Sequence, residues 1–150
     1  MNGKFLAYGL IAAALMNISG VLIFTRAFTN TAINNADPVV MSNFGLLMIV
    51  VWGLAYLSVV PLVRGATVVS PDRRDLSLTS ISTNYRWIFA AFAIEKLVYV
   101  VVWIAWHLDN SVVSLYAKDV FAGVFFSIYG LNDFIFMLFF AGAFFWPPKE

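Results

Sequence analysis

The sequence predicts an all-α integral membrane protein, with four transmembrane helices in an antiparallel bundle and both termini in the cytoplasm. Three observations carry that prediction. The 150 residues are 62% hydrophobic and only 11% charged, whereas soluble domains carry about 25% charged residues. Mean hydropathy is +0.87. The apolar residues also gather into four runs, each long enough to cross roughly 30 Å of hydrocarbon at about 1.5 Å per helical residue. Helices are required because an open strand would leave its backbone groups unpaired in lipid.

The first run covers residues 5–24, between Lys4 and Arg26. Its basic start resembles that of a leader peptide, but the run is long and no A-x-A-like site follows it, so it reads as a spanning helix. The second run covers 39–63, from just after Pro38 to Arg64. The third covers 85–107. The fourth covers 117–146, where Pro147 and Pro148 prevent a helix from continuing. With no internal repeat or low-complexity tail, residues 1–150 are expected to form a single domain.

Basic residues set the expected orientation. Lys4, Arg64, Arg73, Arg74, Arg86 and Lys149 fall on one side, and only Arg26 and Lys118 on the other. The first side is therefore cytoplasmic, which suits a multi-pass protein of the bacterial inner membrane. Tyr8, Tyr85, Trp87 and Trp146 lie near the inner boundary, and Trp103, Trp106 and Tyr116 near the outer one, as an aromatic belt requires. Trp52 is the exception, near the middle of the second run. In the polar connection Ser70-Pro71-Asp72-Arg73-Arg74-Asp75, Arg73 and Arg74 are candidates for contact with a lipid head group or a partner. The plainer alternative is a solvated positive-inside loop.

Small residues mark expected packing faces: Gly9, Ala13, Asn17 and Gly20 in the first helix, and Gly123, Ser127 and Gly130 in the fourth. The fourth run also holds nine of the fifteen phenylalanines, spread all round it, as a helix in lipid allows.

Several function classes are excluded. The absence of cysteine removes disulfide scaffolds, thiolate metal sites and thiol nucleophiles. A net charge of +1 gives no footprint for nucleic acid. No glycine-rich phosphate loop or dinucleotide fingerprint is present, and no cofactor is expected. No metal is expected either, because His107 stands roughly 18 Å along the helix from Glu95 and cannot complete a site with Asp133.

Three charges lie where charge is expensive. Glu95 and Lys96 sit roughly 15 Å from the inner end of the third helix. Asn132 and Asp133 sit roughly 20 Å from the inner end of the fourth, and Asn17 roughly 18 Å from that of the first. Lys96 is too deep for its stem to reach the surface. Two central charges cost about 6 kcal/mol on the insertion scale. The ten Ile, Leu, Val and Phe residues of the third run return roughly 3–6 kcal/mol, so this helix needs a partner. Asp133 is the expected counter-charge for Lys96. Glu95 is left without an assigned cation, and one of the two carboxyls is expected to carry a proton.

The expected site is an aromatic-walled interior cavity holding the carboxylates and the ammonium, bordered by Asn17, Glu95, Lys96, Tyr99, Tyr129, Asn132 and Asp133. The first functional expectation is binding or transport of a small or lipid-like molecule, with proton coupling as an option, among membrane lipids and in a homo-oligomer or larger membrane complex. The alternative is an accessory or assembly subunit whose ion pairs are structural. A third is an intramembrane isomerase-like enzyme.

Overall fold

The computed structural model describes residues 3–65 and 77–146. Arg73, Arg74, the rest of the loop around them, Pro147, Pro148 and Lys149 lie outside the described residues, as does the side chain of Tyr85. Every regular element among the described residues is a helix: α1 (Gly3–Phe24), α2 (Thr31–Ala36), α3 (Asn43–Gly65), α4 (Ser77–Asp109), α5 (Val112–Lys118) and α6 (Val120–Phe145). Four stretches are long and apolar enough to cross a membrane: Gly3–Phe24, Asn43–Arg64, Arg86–Asp109 and Val120–Phe145. That is the pattern of a multi-pass membrane helical bundle.

The element ends follow local chemistry rather than hydropathy. α4 begins at Ser77, ahead of the apolar run, because a helix need not stop where its apolar stretch stops. The fourth run is broken at Asp119, whose backbone is extended at φ −156° and ψ 120°. Its carboxylate accepts from the Ala122 N–H at 2.8 Å and so starts α6. Asn30 does the same for α2, accepting from the Ala32 N–H at 3.1 Å. Between α1 and α2 the chain turns through Arg26, Ala27 and Phe28, at φ 50°, 53° and 69°. Three successive non-glycine residues in the left-handed region are costly. Buried Thr25 holds them there: its carbonyl accepts from Thr29 and Asn30, and its hydroxyl from the Phe28 N–H.

α1 packs on α3, α4 packs on α6, and a narrower α1–α6 contact joins the pairs. Close approaches occur at glycine. A Cβ on Gly53 of α3 would stand 3.2 Å from the Ala14 carbonyl oxygen of α1. On Gly130 of α6 it would run into the Trp103 indole of α4, and on Gly9 of α1 into Phe139 of α6. Gly20 differs from the packing face expected of it: a Cβ there would meet nothing within 4 Å. Two apolar cores result, one around Tyr56, Phe92 and Phe140, the other around Trp106, Phe126 and Tyr129. On α1, α4 and α6 the residues between these cores include the buried polar ones, Asn17, Glu95, Lys96 and Asp133.

Candidate functional site

Lys96 is the centre of the polar layer. It is 1% exposed, and its Nζ donates to Asp133 Oδ1 at 2.6 Å and to Asn17 Oδ1 at 2.9 Å. Asn17 is turned for this role by its own amide nitrogen, which donates to the Ile49 carbonyl of α3 at 3.1 Å. Glu95 Oε1 lies 3.8 Å from the same ammonium. The Tyr56 hydroxyl of α3 donates to Glu95 Oε2, and the Tyr56 ring centroid is 5.5 Å from Nζ, within cation–π range. The Asn132 amide donates to Asp133 Oδ1 at 3.3 Å. All four long helices therefore contribute to one network.

The structure brings Asn17, Glu95, Lys96, Asn132 and Asp133 together. Tyr99, half-buried one turn beyond Glu95, joins none of these bonds. Tyr129 is buried and stacks on Phe125 at 5.2 Å between centroids, but its hydroxyl has no hydrogen-bond partner. Glu95 Oε1 has no hydrogen bond either and only the longer ionic contact to Lys96. Tyr56 was not singled out in the sequence. A depth signal was available: it stands eight residues from Arg64, roughly 12 Å from the inner end of its helix.

A half-open crevice of about 50 Å³ lies between α1 and α6, and its lining includes Asn17, Asn132, Asp133 and Tyr129 but neither Glu95 nor Lys96. Glu95 and Lys96 are both buried, at 7% and 1% exposure. Met16, Gly20, Val21 and Phe24 form the α1 wall, Phe125 and Ile128 the α6 wall, and Ile49 comes from α3. The lining is mostly apolar, and the side chains of Met16 and Ile128 are exposed at its edge.

A second polar contact joins the loop after α1 to the start of α6. Arg26 Nη2 donates to Asp119 Oδ2 at 2.8 Å. Asn30 Nδ2 donates both to Asp119 Oδ1 at 3.0 Å and to the Phe24 carbonyl at 3.1 Å. The Ala122 N–H foremost, then the Asn30 amide and the Arg26 guanidinium, hold the Asp119 carboxyl below the usual range, against a raising effect of burial. Phe24 packs against Phe121 and Phe125 just beneath. His107 is apart from all this, its Nδ1 2.9 Å from the Trp103 carbonyl and its ring between two indoles. Among the described residues no cluster of three His, Asp or Glu side chains could hold a metal.

Comparison with protein-family models, with curated proteins and with solved structures finds no match to this chain.

Proposed function

We propose that this chain is a multi-pass protein of the cell membrane, its four long helices antiparallel and its termini cytoplasmic, that binds a small or lipid-like molecule in the crevice between α1 and α6. The observation that carries this reading is the crevice itself: an apolar, half-open slot whose lining includes the polar residues Asn17, Asn132, Asp133 and Tyr129. Ligand sites are concave and mostly apolar, with a few polar groups that fix orientation. Its exposed edge residues would face acyl chains, so a ligand would enter sideways from the bilayer. Lys96 has a different task in this scheme. It is buried between Asn17 and Asp133, and it fixes the register of α1, α4 and α6.

The test is photo-crosslinking in vesicles with an acyl-chain diazirine probe. Labelling should concentrate on Met16 and Ile128 and fall several-fold in Gly20→Leu, whose added Cβ would meet nothing within 4 Å. Even labelling of all outward-facing residues, unchanged by Gly20→Leu, would reject the reading. The tightness of the Lys96–Asp133 contact favours a second reading, an accessory subunit whose polar network is purely structural. In that case crosslinks in native membranes should run from Met16 and Ile128 to one fixed neighbouring protein rather than to lipid.

A further inference from the structure

The polar layer carries more negative than positive charge. Among the described residues, the ion pairs of Glu95 and Asp133 are both with Lys96, at 3.8 Å and 2.6 Å. Two carboxylates thus share one ammonium, and one negative charge is left over when both are ionised. Uncompensated charge inside a membrane is costly. A proton on either carboxyl can cancel it, and so can a second cation that reaches the layer from outside.

The crevice is where such a cation would arrive. Asp133 belongs to its lining, and 10% of the Asp133 side chain is exposed. Lys96 and Asn132 both donate to Oδ1, whereas no hydrogen bond among the described residues reaches Oδ2. The buried side-chain atoms that lack a partner among those residues are Glu95 Oε1 and the Tyr129 hydroxyl. Oδ2 is not one of them, so this unpaired carboxylate oxygen is accessible. A primary ammonium can donate to it. The Lys96 ammonium repels the newcomer, but the carboxylates outnumber it, and the charges sum to zero with the ligand in place. A carboxylate or phosphate in the same spot would add to the excess where little water screens it, and an alcohol would leave it unchanged. Met16, Val21, Phe24 and Ile128 give the walls apolar surface, so the cation that fits trails an apolar chain.

We propose that the crevice selects cationic amphiphiles, primary amines on an apolar chain, over alcohols and acids of equal length. This rests on the crevice being a binding site. The experiment measures saturable binding of radiolabelled decylamine, 1-decanol and decanoate to the full chain in nanodiscs of zwitterionic lipid, at neutral pH and net of empty nanodiscs. Decylamine should bind at least about tenfold more tightly than decanol, and decanoate more weakly than either. Glu95→Gln removes the leftover charge without altering the crevice lining, and its amide oxygen can still accept from Tyr56. It should cut the decylamine-to-decanol affinity ratio by about tenfold. Asp133→Asn, which removes the charge that the ammonium meets, should do the same; reading the ratio cancels any general loss of folded protein. Equal affinities in the parent, or a ratio that neither variant lowers, overturn the ligand class if Gly20→Leu still abolishes binding of the probes. Decylamine binding that survives Gly20→Leu overturns the crevice as a site, and this inference with it.

Discussion

At the scale of single residues, Lys96 is the group on which the interior depends. Its ammonium meets Asp133 and Asn17 at hydrogen-bond distance and Glu95 at 3.8 Å. Lys96→Met therefore strands two buried carboxyls, and we expect a loss of about 3–5 kcal/mol. Adding Asp133→Leu should recover roughly half of it, because one stranded charge goes too. Unfolding in increasing denaturing detergent measures both; equal stability of Lys96→Met and the parent would show that the pair supports nothing. Much of this cluster was legible in the sequence, since a charge in an apolar run declares itself and helical rise gives its depth. Tyr56 had only its depth to mark it, because a tyrosine among apolar residues, unlike a charge, does not stand out by type. The crevice was not legible: spacing put Gly20 on a packing face, and only the crossing of α1 and α6 reveals that nothing covers it.

At the scale of elements, the four long helices were readable from run length and hydropathy, but the short ones were not. α2 and α5 have 6 and 7 residues, too few to show a period, and their ends are set by Asn30 and Asp119. Asp119 is also the tie between the end of α1 and the start of α6, the two walls of the crevice. Its carboxyl is held below the usual range. The stabilisation it supplies is thus complete above the unfolded Asp value of about 3.9 and is lost as pH falls through its lower folded value. Asp119→Asn should accordingly be less stable than the parent at neutral pH, and the gap in melting temperature should close as pH drops below about 4. A gap that stays constant with pH would mean that the charge of Asp119 does not hold the two helices together.

At the scale of the whole molecule, the proposed topology makes a direct prediction. The chain has no cysteine, so any cysteine introduced reports alone. In intact cells a membrane-impermeant maleimide should label Thr29→Cys, in the loop after α1, and should reach Arg64→Cys, at the end of α3, only after lysis. The reverse pattern would invert the orientation, and labelling of both in intact cells would dismiss the topology. The inference rests on six basic residues against two, a bias that orients short loops strongly. The backbone fold says nothing about sidedness, which is why sequence remains the better guide here.

The polar layer also has a history in time. Chains are made from the N-terminus onward, so in the proposed membrane setting α1 and α3 are in place before α4 arrives. They already carry Asn17, the partner of Lys96, and Tyr56, the partner of Glu95. The charged helix is thus received by hosts synthesised before it. Asp133, with Asn132 beside it, is still to come on α6, and its arrival delivers the counter-charge that locks the assembled bundle.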